Sequence, residues 1–149
     1  MKKVAWILLA GAAMAQSPAS APPANRGYQR VATMSQLMIN IIYPTSNAVF
    51  YVERNEPKTE VDWNNLADQA MMLAESGNLL LLPGRSRETE NWVKFTAMMI
   101  DAGKAAFKAA KAHDLNGVVE VNDLLYRSCV ECHQEFRPNY PKGRLTPPK

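Results

Sequence analysis

The chain has 149 residues, 47% of them apolar, with two cysteines, two histidines and a formal net charge of +3. That length suits one domain. The charge is far too small for the strongly basic face that nucleic-acid binding needs.

The first segment reads as an address rather than a fold. Lys2 and Lys3 form a positive start, residues 4–10 are apolar, and Ala13-Met14-Ala15 is a small-x-small cleavage pattern. This predicts a secretory signal peptide over 1–15, too short to span a bilayer, with cleavage after Ala15. Losing Lys2 and Lys3 leaves fifteen basic against fourteen acidic residues, a net charge of about +1. No later stretch is long and apolar enough for a membrane span, so the expectation is an exported protein without an integral membrane segment. Residues 16–27 are rich in Pro, Ala and Ser and read as a flexible leader.

Four amphipathic segments follow. Val31, Met34, Leu37, Met38, Ile41 and Ile42 recur at helical spacing, which predicts a first helix from Tyr28 toward Arg54. Pro44 should kink it or end its first half. Thr59 with Asp62 resembles a capping arrangement for a second helix, with Val61, Leu66, Ala70, Leu73 and Ala74 inward and Gly77 as its stop. Residues 78–85 read as a loop, and its apolar run over 79–82 should cover a bundle end or line a crevice. A third helix is expected over 88–113, with Trp92, Phe95, Met99, Ala102, Ala106 and Ala110 on one face. Lys94, Lys104, Lys108 and Lys111 form another. The fourth should run over 116–136 with Val118, Val121, Leu125 and Val130 inward, ended by Pro138 and Pro141. The tail, 139–149, reads as irregular. Four such segments with no alternating pattern predict an all-α fold, an antiparallel up-down-up-down four-helix bundle over 28–138.

The fourth helix carries Cys129-Val130-Glu131-Cys132-His133. A C-x-x-C-H run is the attachment signature of c-type haem. Two intervening residues let one helical turn present both thiols to the same porphyrin edge, and the next imidazole becomes an axial iron ligand. A structural zinc site wants four ligands, and His113 is the sole other histidine. A redox-active cysteine pair belongs at a helix N-terminus beside a strand, which this pattern lacks. The expected cofactor is therefore one covalent haem c on Cys129 and Cys132, lying near one end of the bundle.

With that motif late in the chain, followed by Gln134-Glu135-Phe136-Arg137, and with a Met-bearing first helix opening on Tyr28-Gln29-Arg30, the sequence resembles the class II c-type cytochromes, the cytochrome c′ family. Cytochrome c′ is itself a familiar up-down four-helix bundle. The resemblance implies a periplasmic electron carrier, not an enzyme, with redox partner proteins and a homodimer through helix pairing. It also implies a sixth iron ligand from the first helix. Met38 and Met34 both qualify, one turn and about 6 Å apart at 1.5 Å per residue; Met38 is preferred. The alternative is a five-coordinate member that binds NO or CO. The resemblance brings Arg137 to the proximal haem face or a propionate; Arg30 is a candidate to pair with a propionate on the other side, or else a solvated charge. The lysine face of the third helix can steer an acidic partner.

Overall fold

The structure, a computed structural model, describes residues 27–140. The expected signal peptide, the leader up to residue 26 and residues 141–149 lie outside the described residues. Among these residues there is no strand. Helices α1 (Met34–Leu37), a π-helical segment (Met38–Ile42) and α2 (Tyr43–Phe50) run on as one rod. Then come α3 (Glu60–Leu80), α4 (Glu90–Lys111), α5 (Leu115–Glu120) and α6 (Asn122–Phe136). The rod, α3, α4 and the α5–α6 pair pack on one another, and α4 touches both α3 and α6. No helix among the described residues is long and apolar enough to cross a membrane.

Threonines set three of the helix starts. Thr33 accepts from the Gln36 amide while Gln36 reaches back to the Thr33 amide, a reciprocal box that starts α1 six residues later than the periodicity suggests. Val31 consequently stands in solvent. Thr59 and Asp62 form the expected box at α3, and Thr89 caps α4 by accepting from the Trp92 amide at 3.2 Å. Each cap satisfies amides that the first helical turn cannot pair internally.

Pro44 does not end the rod. It sits in the first turn of α2, just after the π segment. A proline lacks the amide for the carbonyl four residues back and its ring crowds that carbonyl. The backbone answers with a wider turn: the Tyr43 amide donates to the Met38 carbonyl, five residues back. The Thr45 hydroxyl donates to the Ile41 and Ile42 carbonyls at 2.7 and 3.0 Å.

Gly77 is not a helix stop. The α3 helix continues to Leu80, so residues 78–80 of the expected loop are helical. A Cβ on Gly77 would lie 2.4 Å from Ile100 Cγ1, and one on Gly103 would lie 2.7 Å from the Ala74 amide nitrogen. Both glycines are where α3 and α4 approach too closely for a side chain. Ala70, Leu73, Ala102 and Ala106 complete that seam and are fully buried. Val61, expected inward, is exposed. The third helix is two residues shorter at each end than expected, bounded by Thr89 and by His113 in a left-handed conformation. The expected fourth helix is broken at Val121 into α5 and α6; Val118, Val121 and Leu125 are buried and Val130 is only half-buried.

Candidate functional site

Cys129, Cys132 and His133 stand at positions i, i+3 and i+4 of α6, so one helix face carries all three. They line a crevice with Met38 and Ile42 of the π segment, Leu80 at the end of α3, and Phe95, Thr96 and Met99 of α4. Ser128 lies at its edge, donating to the Leu125 carbonyl at 2.7 Å, with its hydroxyl 3.9 Å from Cys129 Sγ. Every other wall residue besides Thr96 is apolar or sulfur-bearing, or is His133 itself.

Sulfur and imidazole are tuned by that wall. Both cysteines are free thiols. Burial pushes Cys129 upward, opposed by the Ser128 hydroxyl; burial, then Cys129 and Glu135, push Cys132 up to about 11. Burial first, and the Arg137 charge second, lower His133. A lowered histidine is neutral near pH 7, the state in which an imidazole can bind a metal. The His133 ring is 5.3 Å from Tyr140, and Phe136 meets Trp92 edge-on at 5.0 Å, anchoring the end of α6 against α4. Trp92 Nε1–H in turn donates to the Leu80 carbonyl at 2.9 Å.

Of the residues read from the sequence, Cys129, Cys132, His133 and Met38 meet at the crevice. Met34 is half-buried against the core, one turn earlier, and does not line it. Arg30 and Arg137 do not line it either. Arg30 is exposed and donates to the Gly84 carbonyl at 3.5 Å; Arg137 is exposed with its guanidinium 5.6 Å from the Tyr140 ring. His113 is far along the bundle, stacked on Trp63 at 5.0 Å with Nε2 3.3 Å from Glu60. Leu80 alone of the 79–82 run is fully buried and lines the crevice.

Two residues escaped sequence reasoning. Thr96 is 2% exposed and its hydroxyl has no hydrogen-bond partner, facing an apolar crevice. Arg85, expected at the end of a loop, is buried, and its Nη1 is also unpartnered. Thr96 does fall at inner-face spacing, four residues after Trp92 and three before Met99, but its polar side chain kept it out of the apolar pattern; Arg85 sits in a link, where no periodicity applies.

The donor set suits a covalent haem: two thiols one helical turn apart, an adjacent neutral imidazole, a facing thioether and an apolar wall. The crevice encloses about 40 Å³, well under the ~300–1,000 Å³ of pockets that house small ligands. A planar macrocycle therefore needs the facing side chains to part, and the unbranched Met38 and Met99 are the adaptable ones. No group of three or more His, Cys, Asp or Glu side chains that could hold a lone metal ion occurs among the described residues. No known protein family matches the chain, and neither a curated protein nor a solved structure is significantly similar to it.

Proposed function

We propose that this chain is an exported, periplasmic c-type cytochrome of the class II, four-helix-bundle kind, and that it carries electrons rather than catalysing a reaction. The observation that carries the reading is the meeting of Cys129, Cys132 and His133 with Met38 across one apolar crevice. Bound haem would supply a one-electron Fe(III)/Fe(II) couple. Cys129 and Cys132 would hold it covalently, and His133 and Met38 are the residues that would ligate its iron. The apolar residues Ile42, Leu80, Phe95 and Met99 exclude water and so fix the dielectric around the couple. The π segment gives Met38 its place: the Met38 carbonyl is held by the Tyr43 amide, and the turn is locked by Thr45. Redox partners of acidic surface would be steered by Lys94, Lys104, Lys108 and Lys111, all exposed on α4.

The test is expression of the full chain, signal peptide included, in a host that matures c-type cytochromes. Haem that stays with the polypeptide on a denaturing gel is expected, and is expected to be lost in Cys129→Ser and Cys132→Ser. Absence of covalent haem in the unaltered chain overturns the reading. The ferric spectrum is expected to be low-spin with the weak red charge-transfer band of thioether ligation. Met38→Leu should abolish that band and Met34→Leu should leave it. A high-spin spectrum that shifts readily with CO would instead support the five-coordinate, gas-binding alternative.

A further inference from the structure

Arg85 is the one buried charged residue among the described residues, 9% exposed. Its Nε–H donates to the Tyr28 hydroxyl and Nη2–H to the Ala32 carbonyl at 3.2 Å. Both acceptors are neutral. Its guanidinium carbon lies 6.0 Å from the Tyr28 ring centroid. Nη1 is buried with no partner, and none of the ion pairs among the described residues involves Arg85. Burying a guanidinium with a free N–H and no anion is costly. The arrangement makes sense if an anion completes it.

The position bears on which anion that is. Arg85 is not itself one of the residues that line the crevice, but it joins two segments that flank it. Ala32 precedes the rod that delivers Met38, and Leu80, five residues before Arg85, is itself a crevice wall. The link is held in place because the Arg85 amide donates to the Leu82 carbonyl at 3.0 Å and Trp92 ties the Leu80 carbonyl to α4. A guanidinium fork matches a carboxylate far better than any neutral group. Haem carries two propionate carboxylates, which must leave an apolar crevice by a polar or cationic exit.

We propose that Arg85, held by Tyr28 and the Ala32 carbonyl, binds a haem propionate through Nη1. This rests on the haem reading above. It moves the propionate role from Arg30 and Arg137, whose guanidinium groups are solvated, to a residue inside the fold. A cation at that place also raises the reduction potential, since the ferric form carries the greater positive charge and is the form it disfavours.

The first measurement uses unaltered ferrous holoprotein. Proton NMR should give cross-peaks between the Arg85 guanidinium protons and the methylene protons of one propionate; an assigned spectrum without them overturns the proposal. The second is the midpoint potential of Arg85 variants with haem attached. R85Q should shift it downward, R85K should keep it near the unaltered value, and R30Q and R137Q should each shift it less than R85Q. An unshifted R85Q, or R85K falling as far as R85Q, overturns the proposal, the latter because a purely structural role does not depend on retained charge. Should the unaltered chain carry no haem, it is the cytochrome reading that has failed, and the two failures are distinguished at the gel.

Discussion

The seam between α3 and α4 and the crevice between the rod, α4 and α6 are built on opposite rules. At the seam the contacts are close: Gly103 faces the α3 backbone at Ala74, Gly77 faces the Ile100 side chain, neither leaves room for a methyl, and Ala70, Ala74, Ala102 and Ala106 fill the rest. At the crevice the side chains are long and soft, Met38 and Met99 above all, and Met38, Cys129, Cys132 and His133 are only half-buried. Buried polar atoms without partners, Arg85 Nη1, Thr96 Oγ1, Asn122 Oδ1 and Tyr126 Oη, occur on α4, on α6 and in the α3–α4 link, and none is on α3. A core that is complete by itself satisfies its polar groups and closes up. The α3 side of the seam does this, whereas Thr96 leaves an unpartnered hydroxyl at the crevice.

The contrast can be broken or sharpened by substitution. The largest effect is expected from Gly103→Val. Its side chain would run into the α3 backbone at Ala74, and overpacking against backbone should cost about 3 kcal/mol or more; chemical denaturation followed by circular dichroism should show the transition shifted to much lower denaturant or lost. Leu73→Ala, at a fully buried seam position, should cost about 3 kcal/mol by the same measurement, within the range for cavity-forming changes. Thr96→Val acts in the opposite direction. It replaces an unpartnered buried hydroxyl by a methyl of the same shape, and stability should rise by about 1 kcal/mol. A loss there instead would mean that the crevice hydroxyl has a partner.

The smallest effect is at the exposed start of α3. The Thr59 hydroxyl first, then the Lys58 and Thr59 amides, hold the Asp62 carboxyl below its ordinary 3.8. A depressed carboxylate stabilises the fold above its unfolded pKa, and the contribution disappears as pH falls through the folded value. Acid unfolding should therefore steepen below about pH 4, and Asp62→Asn should remove that part of the acid limb while leaving the stability near pH 7 only slightly reduced.

Much of the helical layout was legible because it rests on local rules. The Thr59–Asp62 box and the inner face of α4 are read directly from spacing, since capping and periodicity involve residues within one or two turns of each other. What misled was equally local. Gly77 looks like a stop to any reader of α3 alone, because the reason for it is Ile100 on another helix. Val31 carries the right period but precedes the Thr33 cap, so the helix never reaches it. Pro44 suggests a break; Thr45 and the five-residue hydrogen bond absorb it.

The candidate site divides in the same way. By itself, the amino-acid sequence determined that Cys129, Cys132 and His133 share one helix face, because i, i+3 and i+4 must coincide on any α-helix. It also narrowed the facing residue to two methionines. Only the tertiary structure decided that Met38 and not Met34 lines the crevice, because that depends on the wide turn before Pro44 and on how the rod lies against α4 and α6. Only the tertiary structure, likewise, turned Arg85 from a loop residue into a buried cation without an anion. Burial is a property of what surrounds a side chain, and here the surroundings come from segments more than fifty residues apart.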